Sequence, residues 1–168
     1  MQMNDSQRIP ASKEKVWAML NDPAVLKQCI PGYEALEMTS PTQMTATVVI
    51  KVGPVKASFG GKVTLSDLDA PNSYRISGEG SGGVAGFARG GATVRLEAES
   101  VDVTVLHYEV DAQIGGKLAQ LGSRLIDSTA KKLAGEFFTR FATAAGGTPD
   151  AAPAEAGEKK GWIKSLIS

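Results

Sequence analysis

Several residue types are scarce in this chain of 168 residues, and each scarcity excludes a class of protein. Cys29 is the single cysteine, so no intramolecular disulfide framework can form. His107 is the single histidine, and together with Cys29 it falls far short of the ligand set of a structural zinc site. A Ser-His-Asp or Cys-His catalytic unit would have to use this one histidine. We therefore predict no metal site and no catalytic residues.

The chain also lacks an excess of charge and a long hydrophobic run. Its 18 basic residues balance its 18 acidic residues, which argues against a nucleic-acid-binding surface. No apolar run approaches the roughly 20 residues that span a bilayer, and the N-terminus has no apolar region typical of a secretory signal. We expect a cytoplasmic protein that is peripherally associated with the inner face of the cell membrane.

The N-terminal part of the chain predicts one strand followed by two short helices. The strand, around residues 3–9, is weakly patterned. Ser12 is placed to cap the first helix, although the glutamate of a capping box is absent. Asp22 is placed to cap the second helix, with Pro23 at its first position. The next residues, "IPGY", end that helix.

From Tyr33 onward the hydrophobic period changes to two, which is typical of half-buried antiparallel strands. The alternating runs are residues 44–52, 55–65, a run that begins at Tyr74, residues 92–98 and residues 106–114. Gly53 and Pro54 separate the first two runs and predict a hairpin. Residues 78–91 are rich in glycine and predict a mobile loop between strands, with a gating role if the loop borders a cavity.

Gly115 and Gly116 end the predicted sheet, and a helical pattern then runs from Leu118 to about Ala145. Its apolar residues recur at spacings of three and four, which gives one broad apolar face. Such a face must be buried, and the concave side of the sheet is the available surface. Residues 1–145 therefore predict an α+β helix-grip fold: a curved antiparallel sheet wrapped round a long C-terminal helix, with two short helices after the first strand.

A curved sheet and a single helix leave an apolar cavity between them, and such cavities bind ligands. Small residues at Gly122 and at Gly60–Gly61 leave room rather than fill it. The cavity-lining residues predicted from the phase of each element are Phe59, Tyr74, Phe87, Tyr108, Leu118, Leu121, Gly122 and Leu125. The run "GEGSGG" at 78–83 has the spacing of a dinucleotide-binding motif, G-x-G-x-x-G. A strand follows it where that motif requires a helix, so we do not predict a nucleotide site there.

The sequence resembles the G-subunit family of carbon monoxide dehydrogenase, within the superfamily of START-like and polyketide-cyclase-like (SRPBCC) domains. The residues that carry the resemblance are "CIPG" (29–32), "KVGPVKASFGGKVTL" (51–65), "GFARGGATVRL" (86–96), "YEVDAQIGGKLAQLGSRLI" (108–126) and the paired Phe137 and Phe138. The resemblance implies a non-catalytic accessory protein of a molybdenum hydroxylase of the carbon monoxide dehydrogenase type. It also implies an apolar ligand, a quinone or a lipid, and recruitment of the enzyme to the cytoplasmic membrane.

Two other functions stay open at this point. An enzyme of the same superfamily, a cyclase, aromatase or hydrolase, would need a polar group in the cavity. Tyr74 and Tyr108 share the inward phase, and His107 would join them only if a bulge rotated it inward. A lipid carrier without an enzyme partner is the other alternative.

The end of the chain has two distinct compositions. Residues 146–157 contain Gly, Thr, Pro, Ala, Asp and Glu, which predicts a flexible linker. Residues 158–168, "EKKGWIKSLIS", predict a short amphipathic anchor, because its apolar residues share one helical face beside lysines. The predicted anchor residues are Lys159, Lys160, Trp162, Ile163, Lys164, Leu166 and Ile167. Three targets are compatible with this pattern: the membrane, a groove on a partner protein, and the chain's own domain.

Overall fold

The computed structural model describes residues 1–146, so the predicted linker after Gly146 and the predicted anchor lie outside the described residues. The strands are β1 (Gln2–Ile9), β2 (Tyr33–Ser40), β3 (Gln43–Val52), β4 (Val55–Asp69), β5 (Ser73–Ser81), β6 (Phe87–Ser100) and β7 (Val103–Gly115). The helices are α1 (Lys13–Leu20), α2 (Pro23–Cys29) and α3 (Ser123–Ala144), with 3₁₀ segments at Gly83–Ala85 and Gly116–Leu121. No helix in this part of the chain is long and apolar enough to cross a bilayer.

The seven strands form one antiparallel sheet in the order β1-β7-β6-β5-β4-β3-β2. Five hairpins join β2 to β7 in sequence, and β1 pairs with β7 because α1 and α2 carry the chain across to β2. The turn at Gly53 and Pro54 joins β3 to β4, as predicted. The helix-grip prediction is therefore confirmed. The separate strand β2 had not been predicted.

The two short helices begin where their caps were predicted. The Ser12 side chain accepts a hydrogen bond from the Lys15 backbone N–H at 3.2 Å, and Asp22 accepts one from the Ala24 N–H at 2.9 Å. Each bond satisfies a backbone donor that the first helical turn would otherwise leave free. Pro23 occupies the start of α2, where its missing N–H costs nothing.

The long C-terminal helix is present, but it begins at Ser123 rather than near Leu118, so the predicted start of the helix is wrong. Gly122 adopts φ +94° and ψ 150° and separates the Gly116–Leu121 3₁₀ segment from α3. Gly116, at the other end of that segment, also has a positive φ of 71°. Both conformations favour glycine over residues with a Cβ. The apolar spacing continues across the break, so it does not reveal that the backbone turns there.

The glycine-rich stretch 78–91 is also not the loop that its composition predicted. Glycines Gly78, Gly80, Gly90 and Gly91 lie within paired strands, and only residues 82–86 connect β5 to β6. We call this five-residue connection the tip loop. Strand pairing on both sides overrides the weak β-propensity of glycine.

Candidate functional site

The helix α3 packs its largest side chains against the sheet along its C-terminal half. Phe141 is fully buried there, and Phe138 stacks on Tyr108 of β7 with ring centroids 5.2 Å apart. Towards its N-terminal half the helix presents smaller residues, among them Thr129 and Ala130. The C-terminal half of the helix therefore closes one end of the concave face, and beside Thr129 and Ala130 a space remains between helix and sheet.

The inward side chains of the sheet become smaller with distance from the C-terminal half of α3, until glycines leave only backbone. Strand register aligns the inward residues in rows that cross β4 to β7. Near the C-terminal half of α3 one row contains Tyr74, Val94 and Tyr108. The following rows, moving away from it, are Leu65–Ile76–Ala92–Val110, Val63–Gly78–Gly90–Ala112 and Gly61–Gly80–Ala88–Ile114. Two of these rows contain directly paired glycines, so the sheet carries no side chains at those points.

We call the two rows with paired glycines the bare rows. Together with the small residues of α3 they enclose a cleft of about 460 Å³. We call it the sheet–helix cleft. Its walls come from β3 to β7, the Gly116–Leu121 segment and α3. The inward wall side chains are Ala46, Val48, Ile50, Val52, Phe59, Val63, Ile76, Ala88, Ala92, Val110, Ala112, Ile114, Leu118, Ile126, Thr129, Ala130 and Leu133, with Met1 at the rim.

The cleft is apolar because every side chain on this wall is aliphatic, aromatic or methionine except Thr129. Lys62, Glu79 and Arg89 border it through backbone atoms, since their strand neighbours point inward and their own side chains line a depression on the outer face. The volume is within the usual range for small-molecule sites. Its shape and lining suit an apolar molecule, and Thr129 supplies one hydroxyl group.

Two predicted cavity residues lie on the cleft wall. Phe59 of β4 and Leu118 of the 3₁₀ segment are both buried, and they form a small apolar cluster with Val52 and Ala85. Leu121 and Leu125 pack against this cluster without reaching the wall. Gly122 is exposed and does not line the cleft.

Tyr74 and Tyr108 face inward as predicted but lie outside the cleft, which corrects their assignment as lining residues. Tyr74 packs edge-on against Trp17 of α1 with ring centroids 5.3 Å apart. Burial strongly raises the pKa of its phenol. Burial, and to a lesser extent repulsion by Asp5, also raises the pKa of Tyr108, which opposes the effect of its hydrogen bond with Gln7. Both phenols are therefore neutral parts of the packed core.

Phe87 also lies elsewhere than predicted, because residue 88 rather than residue 87 has the inward phase. Its ring is 42% exposed and lies against Gly115, where an added Cβ would fall 2.3 Å from it. Arg89 lies over the same ring, 5.9 Å from its centroid. Phe87 therefore contributes to the surface beside the cleft rather than to its interior.

The single cysteine and the single histidine lie in different environments. Cys29 is fully buried, and burial raises the pKa of its thiol despite the opposing charge of Arg140. His107 lies on the outer face with its ring nitrogen 2.9 Å from Glu97, and this hydrogen bond lowers the pKa of that carboxyl. Within residues 1–146 no three His, Cys, Asp or Glu residues are grouped as metal ligands.

Sequence reasoning missed most of the cleft wall. Gly61 had been named as a residue that leaves room, and the phase of β4 supports this, since Gly61 is two residues from Phe59 and shares its face. The same rule places Gly78, Gly80 and Gly90 on the inner face once the register of β5 and β6 is known. The small helix residues Thr129 and Ala130 carry no such signal, because their spacing is also that of an ordinary core helix.

Solved structures with the same fold include proteins of several kinds. A conserved protein from Geobacillus kaustophilus is 29% identical, with 87% of this chain and 95% of that chain covered and a TM-score of 0.82. A START superfamily protein from Mycobacterium smegmatis is 15% identical, with 85% and 98% covered and a TM-score of 0.60. The Zhui aromatase/cyclase from Streptomyces sp. R1128 is 11% identical, with 94% and 98% covered and a TM-score of 0.62. The last two similarities concern the fold alone.

The sequence comparisons agree with the resemblance of the motifs. No curated protein matches this chain. The family model for the G subunit of carbon monoxide dehydrogenase (CoxG) matches residues 6–146, which includes the whole sheet from β2 to β7 and all three α-helices. Since this match spans most of the chain, the protein belongs to the CoxG family of carbon monoxide dehydrogenase subunits.

Proposed function

We propose that this protein is a non-catalytic accessory protein of a molybdenum hydroxylase of the carbon monoxide dehydrogenase type. It binds a quinone-like or lipid-like molecule in the sheet–helix cleft. Through its C-terminal segment it recruits the enzyme to the inner face of the cytoplasmic membrane. The family, whose description is that of a carbon monoxide dehydrogenase subunit, supports the choice of partner.

The observation that carries the ligand proposal is the composition of the cleft wall. An apolar molecule loses contact with water on entering it, and each buried CH₂ group contributes about 0.8 kcal/mol. The Thr129 hydroxyl is the single polar side-chain group on the inward wall formed by the described residues, and it is suited to one carbonyl or hydroxyl oxygen of a ligand. Quinones and long-chain lipids combine these two properties, a large apolar body and few polar atoms.

A catalytic role for the cleft has less support. An enzyme acting on a hydrophobic substrate would need an acid or base at the cleft, and Tyr74 and Tyr108 are buried in the neighbouring core. His107 lies on the outer face of the sheet, beside Glu97. We therefore favour binding over catalysis as the role of the cleft.

The cleft predicts that Ala130→Phe prevents ligand binding. Ala130 projects from α3 into the cleft, and a phenyl ring there occupies space that the ligand needs. We expect affinity for decylubiquinone and for oleic acid to fall at least about tenfold, which corresponds to 1.4 kcal/mol. Fluorescence titration of the full-length protein measures this loss, and native mass spectrometry after gentle extraction measures the loss of any apolar molecule that co-purifies.

The matched control is Ala144→Phe, at an exposed position in the last turn of the same helix. It adds the same ring without entering the cleft, so affinity should stay within about twofold of the original protein. Thermal unfolding of both variants shows whether either ring disturbs the fold. Equal affinity of the two folded variants for both ligands would contradict the proposed binding site.

The anchor proposal predicts that removing residues 158–168 weakens membrane binding. This segment carries one tryptophan, three aliphatic residues and three lysines. Each lysine near an anionic leaflet contributes about 1 kcal/mol, so we expect at least about a tenfold loss of binding to anionic vesicles. Co-sedimentation with phosphatidylglycerol-containing vesicles measures it. Unchanged sedimentation of the shortened protein would rule out the anchor, and retained vesicle binding with lost hydroxylase binding would indicate a protein groove as its target.

A further inference from the structure

One end of the folded domain combines exposed apolar residues with positive charge. Three connections form it: the β3–β4 turn (residues 51–56), the tip loop with the first residue of β6 (82–87), and the 3₁₀ segment with the start of α3 (116–127). We call this surface the docking end. All three connections lie at the same end of the sheet strands, where β4 begins and where β5 and β7 end.

Close backbone contacts join these connections into one surface. A Cβ on Gly53 in the β3–β4 turn would lie 2.8 Å from the Leu125 side chain of α3. A Cβ on Gly116 would lie 2.6 Å from the Gly86 Cα in the tip loop. The turn, the loop and the helix start therefore pack against one another and form one continuous surface.

The tip loop exposes apolar side chains to solvent. Val84, at the middle of the loop, is 90% exposed, and the neighbouring Phe87 is 42% exposed. A cluster of exposed large apolar residues at one place typically marks an interaction site. These side chains are not needed by the core, whose buried member in this loop is Ala85.

Basic residues surround the exposed apolar side chains. The docking end contains four exposed basic residues, Lys51, Lys56, Lys117 and Arg124, and one carboxylate, Asp127, so four minus one gives a net charge of +3. The sheet turns at the opposite end, residues 67–73 and 100–103, contain three carboxylates, and Lys13 of α1 donates a hydrogen bond to Asn72 there. The chain as a whole is neutral, so the rest of the chain carries the balancing negative charge, and this separation of charge favours approach of the docking end to an anionic surface.

The docking end also lies beside an opening of the sheet–helix cleft. A depression between β7 and the start of α3 shares Met1, Ala112, Ile114 and Ile126 with the cleft. Phe87 forms part of the outer rim of this depression. A molecule leaving the cleft by this route passes the exposed ring of Phe87.

We propose that the docking end binds the surface of an anionic bilayer, with Val84 and Phe87 in the interfacial region and the four basic residues among the headgroups. Aromatic and aliphatic side chains ringed by lysine and arginine are the combination that holds proteins at this interface. In this orientation the cleft opens towards the membrane, and an apolar ligand passes between cleft and bilayer without crossing water. This inference deepens the proposed function, since it assigns a second membrane contact to the domain itself.

This contact is separate from the predicted C-terminal anchor. The helix α3, 22 residues or about 33 Å long, runs away from the docking end. Its last turn lies against α1 at the other end, where Lys15 donates a hydrogen bond to the Ala145 carbonyl at 3.0 Å. The two membrane contacts therefore start from opposite ends of the domain and can be removed independently.

The test measures binding of the full-length protein to phosphatidylcholine vesicles with and without phosphatidylglycerol. Val84→Glu places a carboxylate where an apolar residue would enter the interface. Its control is Val101→Glu, at a valine of the β6–β7 turn that is 84% exposed at the opposite end. We expect Val84→Glu to weaken binding to the anionic vesicles about tenfold, because burial of one valine is lost. Val101→Glu should leave binding within about twofold.

A charge-reversal pair tests the electrostatic part of the proposal. Lys51→Glu should weaken binding to anionic vesicles about fivefold or more and have no effect with phosphatidylcholine alone. Its control is Lys27→Glu, at an exposed lysine in the last turn of α2. Equal binding of Lys51→Glu and Lys27→Glu, or of Val84→Glu and Val101→Glu, would overturn the proposal.

The anchor variant Trp162→Ser in the same assay separates this inference from the proposed function. A loss with Trp162→Ser and none with Val84→Glu would overturn the docking end and leave the anchor in place. A loss with Val84→Glu and none with Trp162→Ser would overturn the anchor and leave the docking end in place. If Val84→Glu weakens co-purification with hydroxylase subunits but not vesicle binding, the surface binds protein rather than lipid and the proposal fails.

Discussion

Phe141→Ala is expected to lower the free energy of unfolding by about 3–5 kcal/mol, as for other phenylalanines removed from a core. Phe141 is fully buried and stacks on Phe137, with ring centroids 5.8 Å apart. It lies in the last turns of α3, where that helix packs into the main core cluster. The substitution leaves a cavity at the point that fixes the helix to the sheet, so the melting temperature should fall by about 10 °C.

The control for this loss is Phe87→Ala, the same substitution at a ring that is 42% exposed. We expect a change of no more than about 1 kcal/mol, because a partly exposed ring leaves no closed cavity. Urea denaturation of both variants gives the two free energies, and equal slopes with urea concentration show that the comparison is valid. Similar losses in the two variants would mean that the C-terminal half of α3 does not anchor the helix.

The architecture was predictable because its signals are local. Ser12 and Asp22 cap their helices through bonds to residues two or three positions along the chain, which short motifs report directly. The strands β3, β4 and β7 alternate over many residues, so their pattern is not confused with that of a helix. The features that were missed depend instead on backbone geometry. Gly122 turns the chain at φ +94° while the apolar spacing continues on both sides.

The candidate site was predictable only in part, since a strand pattern gives the face of a residue but not its place along the concave surface. Tyr74 and Phe59 both face inward, yet Tyr74 lies under α1 and Phe59 lies at the cleft. Where α3 contacts the sheet and where it stands away depends on contacts between residues far apart in the sequence. Phe138 and Tyr108, thirty positions apart in the chain, stack at the closed end.

The bare rows of the sheet explain why a cleft forms in this position. On the inner face, residues of the size of Tyr74 and Tyr108 give way to the paired glycines Gly61 and Gly80. A helix of constant diameter cannot fill the space that the missing side chains leave. The sheet as well as the helix therefore determines the shape of the cleft, and substitution of one of these glycines should change that shape.

Gly61→Ala is expected to destabilise the protein by about 3 kcal/mol, near the upper end of the usual cost of overpacking. A Cβ at this position would lie 2.0 Å from the Glu79 carbonyl oxygen and 2.7 Å from the Gly80 Cα, both backbone atoms of the neighbouring strand. Neither atom can rotate away, so β4 and β5 must separate where they form the floor of the cleft.

Gly135→Ala is the matched control, because it adds the same methyl group at an exposed helical position with no atom within 4 Å. There the greater helix propensity of alanine should stabilise the protein by about 0.5–1 kcal/mol, so the two substitutions are expected to have opposite signs. Urea denaturation measures both. A stable Gly61→Ala variant would show that the strands have room to separate at this point, and the bare rows would then reflect space kept for the ligand rather than close approach of the backbone.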